Sequence, residues 1–127
     1  MSSQFTQIVR DPAVRVYRVV VDPGWVSHDG IVNRRAFLPR AKDHVRLSTS
    51  NKGCDAQQAL ADWNQRFPRT SRQQVLSVSV QDCAELGINV VNDSDADSLH
   101  VSLDFTGIAD PEHCAEQLAD RARTELV

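Results

Sequence analysis

The 127-residue chain contains no run of about 18 apolar residues, which excludes a transmembrane helix as a reading of any stretch. Its first residues, Met-Ser-Ser-Gln-Phe-Thr-Gln, lack the basic start and apolar centre of a secretory signal, so a cytoplasmic location and no membrane association are expected. Cysteine is scarce and odd in number: Cys54, Cys83 and Cys114 stand 29 and 31 residues apart. That spacing suits neither a disulfide framework nor a zinc-ligand set, and small buried hydrophobes is the expected role of Cys83 and Cys114. Aromatic residues make up 6% of the chain, too few to build a base-stacking surface, so nucleic acid is not an expected partner. Glycine-rich phosphate loops, nucleophile motifs, internal repeats and low-complexity tracts are all missing. What is left is the composition of one ordinary globular domain spanning 1–127, with 1–12 as a loosely held lead-in that ends at Asp11-Pro12.

The clearest pattern present is residues 99–106, Leu-His-Val-Ser-Leu-Asp-Phe-Thr. Leu99, Val101, Leu103 and Phe105 alternate with His100, Ser102, Asp104 and Thr106, which predicts a strand with one face on a core and a hydrogen-bonding face opposite. Residues 14–21, rich in β-branched side chains, predict a first strand closed by the turn signal Asp22-Pro23-Gly24. Arg18 falls on the apolar face of that strand with Val14, Val16 and Val20, so it must be paired, sit at a sheet end or line a pocket, unless a bulge shifts the register. Two helical turns are possible over 31–38, before Pro39. Further strands are expected at 45–49, at 75–80 (Leu76, Val78 and Val80 against Ser77 and Ser79) and at 88–91.

Helices carry equally readable punctuation. Asp55 with Gln58 three residues on forms a capping box ahead of the stripe Ala56, Ala59, Leu60, Trp63 and Phe67, with Trp63 expected as a core anchor. Asp82, Glu85 and Gly87 bracket a single helical turn. Asp110-Pro111 opens a last helix whose stripe Ala115, Leu118, Ala119, Ala122 and Leu126 runs to the C-terminus. The sum is an α+β fold: a mixed, largely antiparallel sheet of about five strands, with two main helices packed mostly on one face.

Charge is unevenly spread. Residues 1–72 hold twelve Lys and Arg against six acids, and residues 73–127 hold two Arg against eleven acids. Either a basic patch faces a phosphate-bearing partner, or the two halves fold together and neutralise, the simpler reading. The densest basic cluster is Arg34, Arg35, Arg40 and Lys42. Asp93, Asp95 and Asp97 imitate the opening of a calcium loop, but Ser98 and Asp104 stand where glycine and glutamate are needed, so no metal site is expected.

Arg18 on an early strand, Leu47-Ser48-Thr49-Ser50 ending a second, and outward-facing His100 resemble the arrangement with which ADP-ribosyltransferases hold NAD. Ser77-Val78-Ser79 and Ser102-Leu103-Asp104 occupy the strands where that family carries its glutamate pair, so the resemblance implies binding without transfer. Over about residues 15–107, the order Val16-Tyr17-Arg18, Asp29-Gly30, Ala36-Phe37-Leu38-Pro39, Leu47-Ser48, the Trp63 helix, Val78, and His100 with Asp104-Phe105 is similar to a group of small uncharacterised bacterial proteins. That similarity implies a compact bacterial domain and no particular activity. The sequence therefore points first to a non-enzymatic accessory domain that binds another protein and needs no cofactor, with Arg34, Arg35, Arg40, Ser102 and Asp104 as binding candidates. The alternative is an NAD- or nucleotide-binding domain, or an enzyme, in which Arg18, Ser48, Ser50 and His100 converge on one ligand.

Overall fold

Strand β6 (His100–Asp104) lies near the middle of the fold because its alternation leaves no other place for it. Val101 and Leu103, with Phe105 just beyond, are 2% exposed or less in the computed structural model. The structure describes residues 7–39, 46–50, 54–68, 74–93 and 99–125. The other strands are β1 (Gln7–Val9), β2 (Arg15–Val19), β3 (Arg46–Ser50), β4 (Val75–Ser79), β5 (Asn89–Asn92) and β7 (Arg123–Glu125). They run in the order β1-β5-β6-β3-β2-β4-β7, and every pairing is antiparallel.

The α+β class and the antiparallel sheet are as the sequence suggests, and two short edge strands are additional. Gln7–Val9 lies within the expected lead-in, yet it pairs with β5 through Ile8↔Val91 and its neighbours. Arg123–Glu125 was expected as helix. The last helix instead ends at Arg121, Ala122 is extended, and the chain pairs with β4. Burial explains the change: the Ser77 hydroxyl, fully enclosed on β4, donates to the Glu125 carboxylate and accepts from Arg15 Nε at 2.9 Å. A buried hydroxyl without those partners would cost about 1–3 kcal/mol.

The helices are α1 (Ala56–Arg66), α2 (Val80–Glu85) and α3 (Pro111–Arg121). Both bonds of the Asp55–Gln58 capping box form, and Asp110 caps α3 with Pro111 in its first turn. Helix α2 begins earlier than expected. Ser79 is its cap and Asp82 the reciprocal partner, because Val80 turns out of the strand into the core; Gly87 at φ 80° follows its end. Residues 31–38 supply only a 3-10 turn, Arg34–Ala36, capped by Asn33.

The long helices divide between the faces of the sheet rather than sharing one. Val16, Val20, Leu76 and Val78 pack with Leu118, Ala115 and Phe37 on the α3 side, whereas Val19 and Val75 pack with Ala56, Leu60 and Trp63 of α1. Charge neutralisation between the halves of the sequence is also visible, in Arg46 with Asp93 and Asp104 and in Arg15 with Glu125. Among the described residues no helix is long and apolar enough to cross a membrane.

Leu103→Ala tests the core assignment. Leu103 is wholly buried, so its truncation should cost about 2–5 kcal/mol in urea unfolding. A loss below about 1 kcal/mol would show that β6 does not hold the core.

Candidate functional site

Strands β2 and β3 are neighbours, yet among the described residues they share a single register pair, Tyr17↔Ser50. Beyond Tyr17 the β2 strand follows β4, through Arg18↔Leu76 and Val19↔Val75, while β3 follows β6 over its whole length. The sheet therefore forks. The fork opens a cavity of about 670 Å³, within the usual range for small-molecule sites. Val19, Val21, Leu47 and Thr49 line the fork itself.

The cleft's walls are built of guanidinium groups and rings. On the α3 side Arg18 lies 4.9 Å from the centre of the Trp25 ring and donates from Nε to the Ala36 carbonyl at 2.9 Å. This settles the Arg18 anomaly: the side chain lines a pocket and is held there. Arg35 joins the same wall; a Cβ on Gly24 would stand 3.1 Å from its guanidinium, so the glycine leaves it room. On the α1 side Arg66 lies 5.7 Å from the Trp63 ring and 5.5 Å from that of Phe67, and its guanidinium pairs with Asp62. Trp63 and Phe67 stack on each other at 4.6 Å. Trp63 is thus both an anchor, as expected, and a cleft wall. Its indole Nε1 is buried and has no hydrogen-bond partner among the described residues. Among the lining residues three Arg face one carboxylate, Asp22, which accepts from the Gly24 amide at 2.8 Å.

His100 lines the cleft from β6. Register places it on the same face as Tyr17, through Ser50, and hence opposite Arg18. A ligand touching both must reach through the fork, not lie on one face. The backbones of Ser48 and Ser50 lie in β3, paired with Ser102 and His100; their side chains, like all of Arg40, Lys42 and residues 94–98, lie outside the described residues.

The hydrogen-bonding face of β6 is engaged in an internal network. Ser102 is 3% exposed and donates to the Asp93 carboxylate at 3.0 and 3.2 Å, with His100 Nε2 3.0 Å from the same hydroxyl. Arg46 bonds Asp93 at 2.6 Å and approaches Asp104 at 3.8 Å. Ser102 and Asp104, expected as binding residues, serve this internal network and do not line the cleft. Asp93, the first acid of the calcium-like loop, is likewise taken up by it. Burial alone would push the pKa of the Asp104 carboxyl up, but two hydrogen bonds from Thr106 and the charge of Arg46 outweigh it and leave the carboxyl below its ordinary value.

Arg34 and Arg35 are exposed on the 3-10 turn and border a shallow groove with Glu116 and Asp120 of α3. The three cysteines are free thiols. Burial pushes Cys83 up to about 12 and Cys54 to about 11, which removes thiolate chemistry near neutrality. Cys83 and Cys114 pack in the core as expected. No protein family, no curated protein and no solved structure matches the chain.

Because Asp104 titrates lower when folded, its contribution to stability is present above its unfolded value of about 3.9 and is lost as pH falls through the folded one. Thr106→Val removes one hydrogen bond that favours the charged form and should cost about 1 kcal/mol near pH 7. The gap from wild type should close in strong acid. A cost that stays constant across the acid range would remove Asp104 ionisation as its source.

Proposed function

We propose that the protein binds a small anionic ligand bearing a flat ring, nucleotide-like in its chemistry, in the fork between β2 and β3. The observation that carries the reading is a cleft of ligand size lined by three guanidiniums, two of which, Arg18 and Arg66, lie against the rings of Trp25, Trp63 and Phe67. Guanidinium groups match phosphate or carboxylate in charge and in hydrogen-bond geometry, and a flat ring gains stacking on Trp25 or Trp63.

The reading is of binding and not of catalysis. Among the described residues the hydroxyl in contact with His100, that of Ser102, is enclosed and donates to Asp93, so it is not presented as a nucleophile. A protein-docking role for Arg34 and Arg35 has less support, since Glu116 and Asp120 border the same shallow groove, which therefore carries charges of both signs and is not a basic patch.

A thermal-shift screen with AMP, ADP, ATP, NAD and pyrophosphate tests the reading. A ligand at 100 times its dissociation constant stabilises by about 2.7 kcal/mol, or about 10 °C for a domain of this size. Nucleotides should raise the melting temperature more than pyrophosphate does, and Arg18→Ala and Arg66→Ala should each reduce the shift. A flat screen, or shifts that ignore both substitutions, would overturn the proposal.

A further inference from the structure

The two walls of the cleft offer a ligand different amounts of open ring. Trp25 is 8% exposed and belongs to the core on the α3 side, with the Arg18 guanidinium against its ring. Trp63 on the α1 side is only partly buried, and Phe67, stacked on it, is 44% exposed. Arg66 flanks both of those rings, and Phe67 keeps that exposure beside it. Stacking needs ring surface that the protein has not already covered. The α1 wall supplies it.

Charge is divided the other way. Arg66 pairs with Asp62 at 3.1 Å, so the cation of the α1 wall already has a counter-ion. On the α3 wall Arg18 is fixed in place by its bond to the Ala36 carbonyl, and Arg35 stands beside it. Among the described residues no ion pair engages Arg35, although it also borders the outer groove with Glu116 and Asp120. Asp22, the acid of that wall, turns its carboxylate to the Gly24 amide. A phosphate therefore gains most at Arg35, where a forked donor set awaits a partner.

Open ring and available charge thus lie on opposite faces of the sheet, and one ligand reaches both only through the fork. Layers stack on a sheet at a spacing of about 10 Å, so a ring on one wall and an anion on the other need a spacer between them. We infer that the cleft orients its ligand through the sheet, with the anionic group at Arg35 and Arg18 and the flat ring at Phe67 and Trp63. The inference rests on the ligand-binding reading above and narrows its ligand to a ring, a spacer and a phosphate in that order, the chemistry of a nucleoside monophosphate.

Calorimetric titration with AMP and with adenosine tests the orientation, because the two share ring and spacer and differ only in the phosphate. Arg35 and Phe67 are both exposed, so their substitution should leave the fold intact. Wild-type protein should hold AMP more tightly than adenosine. Arg35→Gln should weaken AMP about tenfold or more and leave adenosine unchanged. Phe67→Ala should weaken both by one shared factor, about three- to tenfold. An Arg35→Gln variant that keeps the full preference for AMP, or a Phe67→Ala variant that leaves both affinities unchanged, overturns the inference; the cleft reading stands if Arg18→Ala still weakens AMP. Should ADP, ATP or NAD stabilise the protein while AMP does not bind, the inference fails alone. If no nucleotide binds at all, both fail. Where adenosine binds too weakly for calorimetry, NMR contacts from the adenine protons of bound AMP decide: they should reach the Phe67 ring, and contacts with Trp25 in its place overturn the orientation.

Discussion

Backbone hydrogen bonding among the described strands is nearly continuous except between the two central ones, where Tyr17↔Ser50 is the sole register pair among the described residues. Each of those strands is committed on its other side: β2 to β4 over five pairs and β3 to β6 over five. Backbone donors and acceptors that face a gap need water or a ligand, because left bare and buried they cost as much as a lost hydrogen bond. The fork is thus the one place in the described sheet where polar backbone, charged side chains and aromatic rings meet an open volume. Residues far apart in sequence, Arg18, Arg35, Trp63 and His100, share a cleft because the strands on either side of the fork bring them there.

Two packed surfaces hold the fork open. The 3-10 turns Pro23–Trp25 and Arg34–Ala36, with α3, cover one face, where Phe37 and Ala36 are almost wholly buried. Helix α1 covers the other through a smaller cluster around Val19, Ala56 and Val75. Arg18 ties the first cover to β2 by its bond to the Ala36 carbonyl, and Trp63 and Phe67 carry the second to the cleft's rim. Binding groups and packing groups are therefore largely the same side chains, which gives the cleft walls that are pre-formed rather than induced.

Legibility from sequence was uneven, for physical reasons. The strand at 99–106 and the two capped helices follow from local signals, namely period-two alternation and side chains that satisfy orphan backbone groups. The edge strands at Gln7–Val9 and Arg123–Glu125 carry no such signal: the latter continues a helical stripe without glycine or proline, and only its tertiary partners, Ser77 and Arg15, draw it into the sheet. Ser102 and Asp104 read as binding residues in the sequence because alternation assigns faces but does not show what covers them. Arg18 was the useful anomaly, a cation on an apolar face, and its pocket is where it stands. Arg66 and Phe67 were not singled out as site residues, since strand order and the side of the sheet taken by α1 are not encoded in periodicity.

Both tryptophans of the chain, Trp25 and Trp63, border the cleft from opposite faces of the sheet. Their indole N–H resonances in a 15N-labelled sample give the most direct test of the fork as a ligand site. On titration with ADP the account predicts that both cross-peaks move along one saturable curve, because both rings border the cleft. Indole peaks that stay still while backbone resonances near Arg34 and Glu116 respond would contradict it, and would place recognition on the outer groove instead.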